Sequence, residues 1–473
     1  MGISPAREMA LEVLLRVERE AAFAADLLHA RLRSPVRRED AALATELVYG
    51  VLRWQRLLDV LLARHLPRPP EALDVPVRLA LRLGAYQLRF LNRIPAHAAV
   101  NESVEWTKRA GVRSAAALVN AVLRRMAEEA DRPAETLLPA NLSGIERLAV
   151  LHSHPTWLVQ RWLAAFGPAR TEALLQANNM AAPLACAVHP PNNPETIAEE
   201  LRREGLEVAP GRWLQRALLL RGGSPTQTLP FRTGRISLQD EASQMVPLLL
   251  AVEPGARVLD LCAAPGGKTV ALARTAAAGA FLVAADRYEH RLHVLRQQLV
   301  RTGTGGVALV LLDATAPLPW KPCFSRILLD APCSGTGTLA RNPEIRWRLR
   351  PRDLDELHAR QVALLRNALA TLVPGGRLVY STCSLEPEEN EQVVAEVLAG
   401  LPHARLVEPT RMAAALSPHL RAGGRPEALL APAAEVAALA APRLATGGVF
   451  RTFPPEHGTD GFFAVAIELT ESH

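Results

Sequence analysis

Val258-Leu259-Asp260-Leu261-Cys262-Ala263-Ala264-Pro265-Gly266-Gly267-Lys268-Thr269 is the stretch on which the reading of this chain turns. The apolar run closing at Asp260 reads as a buried strand, the small residues as a turn, and Thr269 to Arg274 as a helix. Without bulk at Ala263, Ala264, Gly266 and Gly267, backbone N–H groups can approach a ligand closely at the mouth of that helix. Neither the phosphate-loop spacing G-x-x-x-x-G-K-[ST] nor the dinucleotide spacing G-x-G-x-x-G is present. Taken alone, the stretch is equally an ordinary strand-to-helix turn. The residues downstream decide.

From Gly234 onward apolar runs alternate with helical stretches. Strands are expected at Val258–Leu261, Phe281–Ala285, Val307–Leu312, Ile327–Leu329 and Arg377–Ser381. Such alternation predicts a doubly wound, mostly parallel α/β sheet, whose ligands bind at the carboxyl ends of the strands. Four of these strands close on an aspartate: Asp260, Asp286, Asp313 and Asp330. One such Asp is commonly a helix cap; four in one sheet are harder to dismiss. Asp286, twenty residues past the Gly-rich turn, lies where a carboxylate takes ribose hydroxyls. Asp313 is placed to accept from an adenine amino group. A nucleoside cofactor without pyrophosphate fits both observations, and S-adenosylmethionine meets these conditions.

The fourth strand runs into Asp330-Ala331-Pro332-Cys333-Ser334-Gly335-Thr336-Gly337, the fifth into Tyr380-Ser381-Thr382-Cys383-Ser384-Leu385. Neighbouring strands lie about 4.8 Å apart, so the two thiols are expected to face one pocket. Cys186, Cys262 and Cys323 are read as small buried hydrophobes. For Cys333 and Cys383, in polar turns beside a methyl donor, a depressed pKa and a nucleophilic role are expected. These two turns resemble those of cytosine-5 methyltransferases, and the resemblance implies a need for both thiols, because carbon 5 of cytosine is too weak a nucleophile to take a methyl group unaided. A thiolate adding to carbon 6 produces an enamine that can, with Asp330 placed to assist at N3 or to hold the exocyclic amine. A base must then remove the carbon-5 proton so that the thiol can leave, and Cys333 is the candidate for assisting that release. The residues by themselves leave the two thiols interchangeable, because Pro332-Cys333 also resembles the nucleophile turn of DNA cytosine methyltransferases.

The rest of the chain frames this region. At 473 residues two or three domains are expected, and 49% hydrophobic content excludes wholesale disorder. No apolar run of eighteen residues exists, and the start carries charges through its apolar positions, so a cytoplasmic protein is expected. Five scattered cysteines without a C-x-x-C pair argue against a disulfide framework and against zinc, and no metal is expected. Net charge +6 and pI near 9.4 favour an acidic partner such as nucleic acid. Only three of the 54 basic residues are lysines, which makes Lys268 in the Gly-rich turn noticeable.

Residues 1–135 read as an all-α domain whose arginines (Arg31, Arg33, Arg37, Arg38, Arg53, Arg56, Arg124, Arg125) form either an RNA-facing surface or a solvated shell. A Pro-containing linker leads to a small α/β region, 145–234, and the catalytic α/β domain occupies 235–473. The Ala/Pro-rich run at 411–445 is expected to be a helical or loose surface insertion. Arg341, Arg346, Trp347 and Arg348 suit phosphate contacts with base stacking, against the plainer alternative of a packed Trp among solvated arginines.

Together the motifs DLCAAPGGKT, DAPCSGTG, STCSLEPEEN and HGTDGFF resemble those of the RNA (cytosine-5) methyltransferases of the NOL/NOP/Sun class. The resemblance covers nearly the whole chain. Its N-terminal part is similar to the NusB-like RNA-binding domain of the members that methylate bacterial 16S ribosomal RNA. The resemblance implies a Rossmann-like S-adenosylmethionine methyltransferase domain acting on cytosine C5 of that RNA, with a monomer expected. It implies that Cys262, Ala263, Ala264, Pro265, Gly266, Gly267, Lys268, Asp286, Asp313 and Asp330 line the cofactor site. It assigns Cys383 as the nucleophile. Ser325, where relatives often carry Asp, and the length of the 411–445 run depart from the pattern. Two readings from other classes remain: a NusB-like RNA-binding scaffold that has lost catalysis, and a DNA cytosine methyltransferase acting through Cys333.

Overall fold

The computed structural model describes residues 2–32, 36–275, 279–440 and 444–470, which divide into two compact units. One comprises Met1–Ala181 with Leu339–Leu349, the other Ala182–Thr338 with Arg350–His473. Arg33 lies outside the described residues.

The first unit is helical because its apolar residues recur at three- and four-residue spacing over long stretches. Helices span Pro5–Glu20, Arg38–Ala63, Val75–Phe90, Ala96–Arg109 and Ala116–Glu128. Leu11, Leu14, Leu47, Leu58, Leu61 and Leu62 form the centre of their shared core. Ser143 and Glu146 start the helix Gly144–Leu151 with a reciprocal capping box. The helical stretch Thr156–Asn179 breaks at Gly167 (φ 74°), just before Pro168. This stretch, expected with the middle region, belongs to the helical unit.

Within the second unit, β1 (Leu184–Val188), β2 (Glu207–Pro210), β3 (Ala217–Arg221) and β4 (Ile236–Leu238) form an antiparallel sheet in the order β2-β3-β1-β4. The helix Pro194–Arg203, capped by the Asn193 side chain, turns Ile197, Ala198 and Leu201 to its core.

The larger sheet is built on β5 (Arg257–Leu261), β6 (Phe281–Asp286), β7 (Val307–Leu311), β8 (Phe324–Asp330) and β9 (Leu372–Thr382). These run parallel in the order β9-β8-β5-β6-β7. Helices on both faces explain the near-continuous apolar runs: Leu259, Ile327 and Leu378 pack into one core, Val258, Leu328 and Val379 into the other. Because β5 is followed by β6 on one side and flanked by β8 on the other, chain order reverses there, and a crevice opens at their carboxyl ends.

The parallel reading of this sheet needs one addition. β11 (Leu430–Pro432), β12 (Gly448–Thr452) and β13 (Phe462–Leu469) extend it antiparallel beyond β9, and β10 (Ala404–Leu406) pairs with β13. β13 opens with the unbroken apolar run Phe462–Ile467, and its pairing with both β9 and β12 makes it an interior strand. The 411–445 run contributes helices Pro409–Leu416 and Ala434–Leu439 and the edge strand β11. Residues 441–443 lie outside the described residues.

Candidate active site at the strand tips

Strand register brings the polar tips together. Asp330 pairs with Ser381 across β8 and β9, and the Ala331 N–H donates to the Ser381 carbonyl at 2.8 Å. Beyond this point both chains turn through small residues. The Gly337 N–H donates to the Cys383 carbonyl at 2.9 Å, and the Gly461 N–H to the Gly337 carbonyl at 2.8 Å. A Cβ at Gly337 would stand 2.1 Å from the Gly461 carbonyl oxygen and 2.8 Å from that of Cys383, so glycine is required for these segments to close on each other.

The result is a sulfur–sulfur separation of 3.4 Å between Cys333 and Cys383. The Cys383 sulfur beside it, and then burial, push the Cys333 thiol well above the ordinary cysteine range. This corrects the expectation of a depressed pKa at Cys333: with a neighbouring sulfur, Glu389 and Asp330 around it, a second negative charge is disfavoured.

Next to the sulfurs, Asp330 accepts from Lys268 Nζ at 2.6 Å and from Ser381 Oγ at 2.7 Å. Lys268 also lies 5.2 Å from the centre of the Phe462 ring. The lysine of the Gly-rich turn therefore holds a carboxylate rather than waiting for a phosphate.

The turn itself leaves β5 with Cys262 at φ 59°, a conformation uncommon for a side-chain-bearing residue, and Gly266 follows at φ 106°. Burial, then Asp286, push the Cys262 thiol up to about 12, which suits an inert wall rather than a nucleophile. Asp260 is buried: Thr269 Oγ1 donates to one oxygen at 2.6 Å while the other has no partner. Burial pushes its carboxyl up to about 7.

At the tip of β6, Asp286 accepts from the N–H groups of Ala264 at 3.2 Å and Tyr288 at 3.1 Å, with Arg291 3.5 Å away. A carboxylate offers about four lone-pair positions, so acceptor capacity remains beyond these two backbone donors. Asp313, just past β7, is held by Thr315 Oγ1 and N–H at 2.7 and 3.0 Å and lies 3.3 Å from Arg287. The Thr315 hydroxyl, then its N–H, hold its carboxyl below the usual range. Acceptor-only groups on successive strand tips suit the hydroxyls and amine of a nucleoside. The lysine of the Gly-rich turn, Lys268, is itself paired with Asp330.

The surroundings hold residues that motif reading passed over. Glu389 and Gln361 are fully buried beneath both cysteine turns, and Tyr380 donates its hydroxyl to the Glu389 carbonyl at 2.6 Å. Glu389 stands inside the quoted STCSLEPEEN motif, but nothing in its spacing announces that its side chain turns inward.

At Arg346, Trp347 and Arg348 the basic segment after Gly337 follows the packed alternative rather than the RNA rim. Arg346 is fully buried in the helical unit, where it donates to the carbonyls of Ser153 (3.1 Å), Asn178 (3.0 Å) and Leu339 (3.4 Å) and to Asn179 Oδ1 (2.8 Å). Trp347 Nε1 donates to the Leu52 carbonyl at 2.6 Å, and Arg348 donates to the carbonyls of Ala21, Ala22 and Val17. Their donors are consumed by backbone oxygens, so these three are structural ties; Arg341 is half-buried in the same segment. Among the N-terminal arginines, Arg53 donates to the Ala340 carbonyl and Arg56 to His154 and Thr156. Arg124 and Arg125 are exposed. Among the described residues, no group of three or more His, Cys, Asp or Glu is placed to hold a metal, and no helix is long and apolar enough to cross a membrane.

A parallel sheet with this strand order, a Gly-rich turn at its switch point and carboxylates on successive tips defines an S-adenosylmethionine-dependent methyltransferase. Residues 247–468 match the family model 16S rRNA methyltransferase RsmB/F, residues 4–128 the NusB family, and residues 154–227 the RsmF/B-like ferredoxin-like domain. The ribosomal RNA small subunit methyltransferase B of Pseudomonas putida is 39% identical over 81% of this chain and 86% of its own length. That of Sodalis glossinidius is 36% identical over 80% and 85%. The crystal structure of PH0851 superposes with a TM-score of 0.80 at 25% identity, covering 99% of both chains. The chain belongs to the RsmB/F family of 16S ribosomal RNA methyltransferases, with S-adenosylmethionine as cofactor and ribosomal RNA as substrate.

Proposed function

We propose that this enzyme methylates carbon 5 of a cytosine in 16S ribosomal RNA through a covalent link between Cys383 and carbon 6. The observation that carries the reading is the 3.4 Å approach of two sulfurs beside the Lys268–Asp330 pair. The turn Cys262–Lys268 with Asp286, Asp313 and Asp330 would hold S-adenosylmethionine, which when bound supplies an electrophilic methyl group. Asp330 keeps a lone pair on each oxygen for the exocyclic amine of the base. Cys383 adds as thiolate to carbon 6, which makes carbon 5 an enamine carbon. A base, for which water suffices, takes the carbon-5 proton, the C5–H electrons form the carbon-5–carbon-6 double bond, and the bond from carbon 6 to the Cys383 sulfur breaks. Cys333, kept as a neutral thiol, is placed to give its proton to that departing sulfur. The family resemblance, which assigns Cys383, counts against Cys333 as nucleophile, and hence against the DNA-methyltransferase alternative. The intact thiol pair counts against an inert scaffold. The division into a NusB-like domain (1–135), a linking domain (145–234) and a catalytic domain (235–473), working in the cytoplasm, belongs to this reading.

Incubation with cofactor and 16S RNA containing 5-fluorocytosine tests it. Wild type is expected to form a covalent adduct. Cys383→Ala is expected to form none, and Cys333→Ala to accumulate adduct on unmodified RNA as well. Adduct that survives Cys383→Ala would overturn the assignment.

A further inference from the structure

Resting on the two-thiol reading above, we infer that Glu389 is a positioning residue that sets the spacing of the two sulfurs and keeps them acting as a pair. Its carboxylate is fully buried beneath the cysteine turns. One oxygen accepts from the Ser334 N–H at 2.8 Å and from Gln361 Nε2 at 3.0 Å. The other accepts from the hydroxyls of Ser334 and, at 2.5 Å, Ser384. Ser334 directly follows Cys333 and Ser384 directly follows Cys383, so one carboxylate grips the residue next to each sulfur. The two hydroxyls also lie 3.1 Å from each other, and Gln361 closes the ring by donating to the Pro332 carbonyl at 2.9 Å.

Four donors around a single buried carboxylate make a rigid hub, because charge-assisted hydrogen bonds are short and directional and withdrawing one donor leaves a buried acceptor exposed to loss. The β8 and β9 turns have no covalent tie, yet their sulfurs must share one ring atom and its neighbour. A carboxylate reaching both turns from below supplies that tie without occupying the pocket. Its charge also opposes ionisation of Cys333, which keeps a proton available beside the sulfur that has to leave. None of the residues that would hold the cofactor touches this hub, so the two duties are separable.

The test is Glu389→Gln in the full-length protein, with three readouts. Affinity for S-adenosylmethionine, by titration calorimetry, is expected to match wild type. Single-turnover methylation of 16S RNA is expected to fall about 100-fold, the usual cost of misplacing reacting groups by about an ångström. The pH midpoint for iodoacetamide alkylation of Cys333, measured with Cys383→Ala in both backgrounds, is expected to move to lower pH. Wild-type methylation, or slower methylation with an unmoved midpoint, would overturn the proposal. If Glu389→Gln loses cofactor binding, Ser384→Ala removes a single grip: the same fall in rate is expected, and a wild-type rate overturns the inference. Failure of the two-thiol reading shows separately, as absence of 5-fluorocytosine adduct with wild type, while the alkylation profile needs neither RNA nor cofactor.

Discussion

Asp260 shows how one side chain couples the cofactor turn to pH. Its carboxyl is pushed up to about 7 by burial, against an ordinary aspartate near 4. Between those values the folded protein holds a proton that the unfolded chain has released, so stability falls as pH rises through the window and the penalty is complete above about 7. Each pH unit costs about 1.4 kcal/mol for one fully linked group. Asp260→Asn, which can still accept from Thr269, is expected to flatten the fall in melting temperature between pH 5 and pH 8. An unchanged slope would show that Asp260 is ionised in the fold. At Gly337 the issue is space. Gly337→Ala drives a methyl group into the Gly461 and Cys383 carbonyls, and a loss of about 1–3 kcal/mol in denaturant unfolding is expected. Methylation should fall with it, because the displaced backbone carries Cys383.

The segment Leu339–Leu349 is an element with two possible duties, and its hydrogen bonds choose between them. A phosphate-binding arginine removed from the protein reduces the salt dependence of RNA affinity by about one unit of slope. Arg346 instead satisfies four oxygens inside the helical unit, and burial lowers its guanidinium to about 9. Arg346→Ala is therefore expected to cost at least about 2 kcal/mol of stability through orphaned carbonyls while leaving the salt slope unchanged. Thermal unfolding with filter binding at several salt concentrations separates the two. The ambiguity had a physical origin: Arg346-Trp347-Arg348 has the composition of a nucleic-acid rim, and composition carries no information on where a short helix docks. Strands fared better. The five parallel strands announce themselves by apolar runs, four of them leading to an aspartate, whereas the pairing of β12 and β13 beyond β9 is long-range and leaves no sign in the spacing of the chain.

For the molecule as a whole, net charge +6 and an RNA substrate predict that rRNA affinity falls at least about 10-fold between 50 and 200 mM salt, while cofactor affinity barely moves. A flat RNA titration would mean that phosphate contacts contribute little. Fold class and cofactor type were legible in the linear chain, because glycines at a strand-to-helix turn and aspartates at strand ends are local requirements met by neighbours in sequence. The distance between the sulfurs, the upward push on the Cys333 thiol, the inward turn of Glu389 and the burial of Arg346 were decided only by tertiary structure. Each depends on groups tens to hundreds of residues apart, from Cys333 and Cys383 to Trp347 and Leu52. Spacing in the chain says which chemistry is affordable to a turn; desolvation and the charges packed around it say which protonation state and which partner that turn receives.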